Sequence, residues 1–109
     1  MKKFIYPCLI ALTLLGCHTK ENAHTVTVGT IAGPETQLMQ VAQKVALQRY
    51  GLTVIIKTFN DYIQPNQALY NGDIDANSFQ HQAFLNAQNS ARHYGLIAAG
   101  KTFLFPMGI

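Results

Sequence analysis

From Thr25 to Ile31 the chain alternates polar and β-branched apolar residues, Thr-Val-Thr-Val-Gly-Thr-Ile, a period of two that predicts a strand. Ala32-Gly33-Pro34-Glu35 breaks the period and suits a helix start. Proline fits the first helical turn, and a carboxylate there faces the positive end of the helix dipole. Leu38, Ala42, Val45, Ala46 and Arg49 then recur at spacings of three and four, which predicts a helix to Tyr50 with its apolar stripe against a sheet. Gly51 is its stop. Leu52 to Phe59 is nearly continuous in apolar residues at its centre, the pattern of a second strand covered on both faces.

Beyond that strand the pattern shortens. Asn60-Asp61 is a turn pair, Pro65 suits a first helical turn, and a short helix over Gln67 to Tyr70 is closed by Asn71-Gly72. Asp73 to Asn77 reads as a short third strand. Gln80 to His93 reads as a helix with Phe84, Leu85, Ala87, Ala91 and Tyr94 on one face, stopped by Gly95. Leu96 to Phe105 reads as a final strand interrupted at Gly100-Lys101. Alternating strands and helices predict an α/β fold with a mostly parallel sheet flanked by helices. Phe59 ends a predicted strand and Tyr62, Phe79 and His81 fall just after one, where open α/β sheets place ligand crevices.

The first part of the chain follows other rules. Lys2 and Lys3 precede an apolar run from Phe4 to Leu15 that is too short for an ordinary membrane span. It ends Leu14-Leu15-Gly16-Cys17, which resembles the bacterial lipobox, where the cysteine is acylated and becomes the first mature residue. The expected organisation is a lipoprotein signal peptide over residues 1–16, a lipidated tether over 17–24, and an α/β lobe over 25–109. Cys8 leaves with the signal and Cys17 carries lipid, so neither of the two cysteines is expected to form a disulfide. The formal charge of +3 includes Lys2 and Lys3, leaving about +1 on the mature part. With no downstream cluster of Lys or Arg, nucleic acid has no electrostatic footprint. The last residues, Phe105-Pro106-Met107-Gly108-Ile109, form a Pro/Gly-interrupted apolar segment, and the expectation is a lobe truncated before its last element.

Little in the sequence points to catalysis. Of the histidines, His18 and His24 lie in the tether, and His81 and His93 are too far apart for a paired metal motif. Ser78 and Ser90 lack a nucleophile elbow. Asp73 and Asp75 share a face if extended, but fit turn and capping roles next to Asn71-Gly72. The segment Gly29 to Gly33 before a helix matches neither a Walker loop nor a dinucleotide fingerprint. The chain is expected to be neither an enzyme nor a carrier of a cofactor or metal. A binding surface remains. Tyr62, Phe79 and His81, with Asn60 and Asn77 beside them, combine apolar walls with a few polar groups, as small-ligand sites do. On composition alone, Phe79 reads equally well as core and His81 as a helix cap.

The run from Val41 to His81, VAQKVA…YGL.V…TFNDY..PN.AL..GDIDAN.FQH, resembles the methionine-binding lipoproteins of the MetQ/NlpA family. The resemblance extends over Val26 to Gly33 and Thr102 to Pro106. It implies one lobe of a type II periplasmic-binding-protein fold, in a protein that is lipid-anchored to the cell membrane on the periplasmic or extracytoplasmic side. Such a protein binds methionine or a related small amino acid and delivers it to an ABC permease. It also implies that the first lobe supplies the aromatic pocket for the thioether, carried over onto Tyr62, Phe79 and His81. Sulfur against aromatic rings is favourable by about 0.3–1.5 kcal/mol per contact. The arginine and asparagines that hold the amino acid's charged groups are implied to lie in a second lobe, beyond Ile109. Arg49 and Arg92 read instead as helix-surface residues. The alternative is a degenerate lipoprotein fragment that binds no ligand and serves at most as an interaction surface.

Overall fold

Both faces of the first strand are buried, and the fold is built outward from it. The computed structural model describes residues 24–104. These form β1 (Thr25–Ile31), α1 (Pro34–Tyr50), β2 (Thr53–Phe59), α2 (Gln64–Asn71), β3 (Ala76–Ser78) and α3 (Gln82–Arg92). The expected signal peptide, Cys17, the expected tether as far as residue 23, and residues 105–109 lie outside the described residues. The strands make a parallel sheet in the order β2-β1-β3, with Val28 opposite Ile56 and Ala76, and Thr30 opposite Thr58 and Ser78.

The period of two in β1 sends Val28 and Thr30 to one face and Gly29 and Ile31 to the other. On the first face lies α1. Thr36 of α1 meets the fully buried Thr30, their hydroxyl oxygens 2.8 Å apart, and donates to the Ile31 carbonyl at 2.8 Å. Gln43, two turns on, donates to the Val54 carbonyl at 2.6 Å. On the second face lies α2, where Ile31, Phe59, Ala68 and Ile74 form a buried cluster, with Leu69 and Phe79 packed against it. Gly29 admits this cluster. A Cβ there would stand 2.7 Å from Ile74 Cδ1 and 2.9 Å from Phe59 Cε2, so glycine is required by close approach and not by a turn.

Several sequence expectations are corrected. The face of α1 turned to the sheet carries Thr36, Met39, Gln43 and Ala46, all half-buried, while Leu38 and Val45 are exposed. The cause is polar: the hydroxyl of Thr36 and the amide of Gln43 occupy strand carbonyls, and those bonds set the rotation of the helix. β2 is covered along only one face, and Ile55 is half exposed on the other. An eight-residue helix spans only about 12 Å, so α2 reaches only the C-terminal end of the sheet. The third strand is Ala76–Ser78 and not Asp73 to Asn77, because Asp73 N–H closes α2 by donating to the Ala68 carbonyl. Residues 96–104 form no strand. Both backbone groups of Leu96 are instead occupied by the Asn89 carboxamide, at 3.0 and 2.7 Å.

α2 starts three residues earlier than Gln67, after a turn held by Asp61, whose Oδ1 accepts from the N–H groups of Ile63 and Gln64, each at 2.8 Å. Loss of these exposed bonds in Asp61→Ala is expected to cost about 0.5–1.5 kcal/mol. A lowered urea midpoint at unchanged slope checks this.

Candidate functional site

The strand order reverses at β1. From β1 the chain crosses to β2 on one side, then returns over β1 to β3 on the other, so α1 and α2 fall on opposite faces. The connections leaving β1 and β3 therefore diverge, opening a crevice at their C-terminal ends. That is where open α/β sheets bind ligands. A cavity of about 160 Å³ lies there, walled by Glu35 from the start of α1, by Ser78, Phe79, Gln80 and His81 after β3, and by residues 102–104.

Each ring residue has a distinct place. Phe79 is half-buried against the core cluster and meets Phe84 edge-on at 6.1 Å between ring centroids. Tyr62 lies in the bend before α2, 57% exposed, its ring 6.0 Å from that of Phe79. It borders Phe79 but does not wall the 160 Å³ cavity. His81 is the N-cap of α3, its Nδ1 accepting from Phe84 N–H at 3.1 Å, and the residue also walls the cavity. Capping and site-lining thus meet in one residue. Phe59, by contrast, is buried in the core.

The sequence reading missed a carboxamide network beneath these rings. Asn66, fully buried in α2, exchanges two hydrogen bonds with Gln80: Nδ2 donates to Gln80 Oε1 at 2.8 Å, and Oδ1 accepts from Gln80 Nε2 at 2.8 Å. Asn77 Nδ2 donates to the same Asn66 oxygen at 2.9 Å and lies 3.3 Å from the Pro65 carbonyl. Gln80 Nε2 also reaches Asn77 Oδ1 at 3.3 Å. The one sequence signal was the presence of several amides between Asn60 and Gln80, which names no partners.

The other polar candidates are structural. Asp75 Oδ2 accepts from Thr27 N–H at 2.7 Å, and its own N–H donates to the Thr27 carbonyl at 2.9 Å, extending the β1–β3 ladder. Arg49 and Arg92 lie exposed on α1 and α3. His93 closes α3 in the left-handed conformation, φ 55°. Among the described residues no group of three or more His, Cys, Asp or Glu is placed to hold a metal ion, and no helix is long and apolar enough to cross a membrane.

A family model described as NlpA lipoprotein matches residues 26–109. The chain belongs to the NlpA lipoprotein family. Within curated relatives, it is 50% identical over 98 residues to the D-methionine-binding lipoprotein MetQ of Salmonella typhi, covering 89% of this chain and 36% of that protein. Among solved structures, an ABC transporter periplasmic substrate-binding protein from Coxiella burnetii superposes with a TM-score of 0.74 at 61% identity, over 76% of this chain and 35% of the other. A nutrient-binding protein from Burkholderia cenocepacia bound to methionine superposes with a TM-score of 0.61 at 54% identity, over 62% of this chain and 28% of the other. The chain thus spans about a third of the length of the relatives it matches. The family's fold is that of periplasmic substrate-binding proteins, and the parallel sheet flanked by helices is a part of it.

Proposed function

We propose that this chain serves methionine uptake as part of a lipid-anchored substrate-binding protein, with Tyr62, Phe79 and His81 holding the thioether side chain. Cys17 carries the lipid, the lobe faces the periplasm, and an ABC permease receives the ligand. The observation that carries this reading is the cavity at the strand-order reversal, walled by Phe79 and His81. It is supported by the methionine-bound neighbour at 54% identity and by relatives named for D-methionine binding. The chemistry agrees: polarizable sulfur is favoured beside ring edges, and the neighbouring Asn66 and Gln80 carboxamides are engaged with one another.

Titration calorimetry on the full chain in mild detergent, with L- and D-methionine, tests the assignment. Phe79→Ala is expected to weaken binding at least tenfold, and unchanged affinity removes the residue from the site. His81 needs a finer test because it also caps α3. His81→Asn keeps a good cap and removes the imidazole, so a ligand contact predicts weakened binding with the thermal midpoint nearly unchanged. A variant with wild-type affinity assigns His81 to capping alone.

A further inference from the structure

We infer that the Asn66–Asn77–Gln80 carboxamide network positions the ligand crevice, with Asn66 as its fixed point; its second test below rests on the methionine reading. Residues 79–81 belong to no helix or strand, yet Phe79 and His81 in that segment wall the cavity. The β3 ladder and the start of α3 hold only the ends of this segment, which leaves its middle to be held by side chains. Gln80 stands between them, and its carboxamide is held by two 2.8 Å bonds to Asn66, which is completely buried one residue after Pro65. Asn77, in β3 just before that segment, is bonded to Asn66 as well.

The network joins the segments that carry the ring pair. Tyr62 lies two residues before α2, and Phe79 just after β3, with their rings 6.0 Å apart. Apolar packing is non-directional and tolerates a slide of one segment along the other. A cyclic pair of amide bonds does not, because both bonds are lost on a shift of an ångström or two. The Asn66 oxygen accepts twice, from Asn77 and Gln80, while its nitrogen donates to Gln80. A part-buried network anchored on a fully buried amide and satisfied in this way favours one geometry. Asn66 and Asn77 are thus positioning residues, acting on the ligand through Phe79, His81 and Tyr62, and Gln80, itself in the cavity wall, links them to it.

The test compares the full wild-type chain with Asn66→Leu, Gln80→Ala and a control, Val54→Ala, which removes core volume on the opposite face of the sheet. Two properties are read at a temperature where each variant is folded: the NMR cross-relaxation between the Tyr62 and Phe79 rings, and the affinity for L-methionine by calorimetry. Loss of the ring contact and at least a tenfold loss of affinity in the network variants, with both retained in Val54→Ala, supports the inference. Gln80 is only half-buried, so Gln80→Ala decides if Asn66→Leu does not fold. An intact ring contact in the network variants overturns it. If wild type binds no methionine but the ring contact is lost in the network variants alone, positioning stands and the methionine reading falls.

Discussion

Phe59→Ala is expected to lower the unfolding free energy by about 3–5 kcal/mol, the cost of emptying an aromatic side chain from a packed core. Phe59 is 8% exposed and packs with Ile31, Ala68 and Ile74 in the cluster that fastens α2 to the sheet. The Lys57 ammonium lies 5.7 Å from the centre of its ring, a contact worth about 0.5–1 kcal/mol at an exposed site that also goes. Whole domains are stable by only about 5–15 kcal/mol, so this one change removes a large fraction of the total. Urea unfolding followed by circular dichroism reads it, and a loss below about 1 kcal/mol would show that the α2 face contributes little to stability.

The second large effect is at Gly29. Gly29→Ala forces a methyl group into space held by Ile74 Cδ1 and Phe59 Cε2, and overpacking of this kind costs about 1–3 kcal/mol. The cause is specific enough to be rescued. Ile74→Val deletes the obstructing Cδ1 and alone costs about 0.5–1.5 kcal/mol. The double variant is expected to lose less than the sum of the two singles, by about 0.5 kcal/mol or more. Rescue is partial because the Phe59 ring edge remains 2.9 Å from the new Cβ. Simple additivity in the double-mutant cycle would mean that Gly29 is required for another reason.

What the sequence disclosed, and what it did not, follows from how local each signal is. Gly51 and Gly72 end α1 and α2 in the left-handed conformation, and both stops were readable because the requirement is local to one residue. The first two strands were readable for the same reason, since alternation and β-branching act within a few residues. The sheetward face of α1 was not, because Thr36 and Gln43 face inward to bond carbonyls of strands whose positions only the fold supplies. Leu96 has the composition of a strand residue, but a strand needs a ladder partner, and Asn89 took its backbone groups first. The crevice was half legible. Phe79 and His81 fell where a strand-end rule placed them, whereas Asn66 and Gln80, fourteen positions apart, gave no sign of being partners.

The most direct measurement is thermal unfolding of the full chain in mild detergent, with and without a large excess of L- or D-methionine. Ligand bound only to the native state stabilises it, by about 2.7 kcal/mol at a hundredfold excess over the dissociation constant. For a domain of this size each kcal/mol moves the midpoint by about 4–8 °C. The predicted result is a cooperative transition that rises with methionine concentration in the wild type and rises much less in Phe79→Ala. A cooperative transition whose midpoint is the same with and without millimolar methionine would contradict the proposed function.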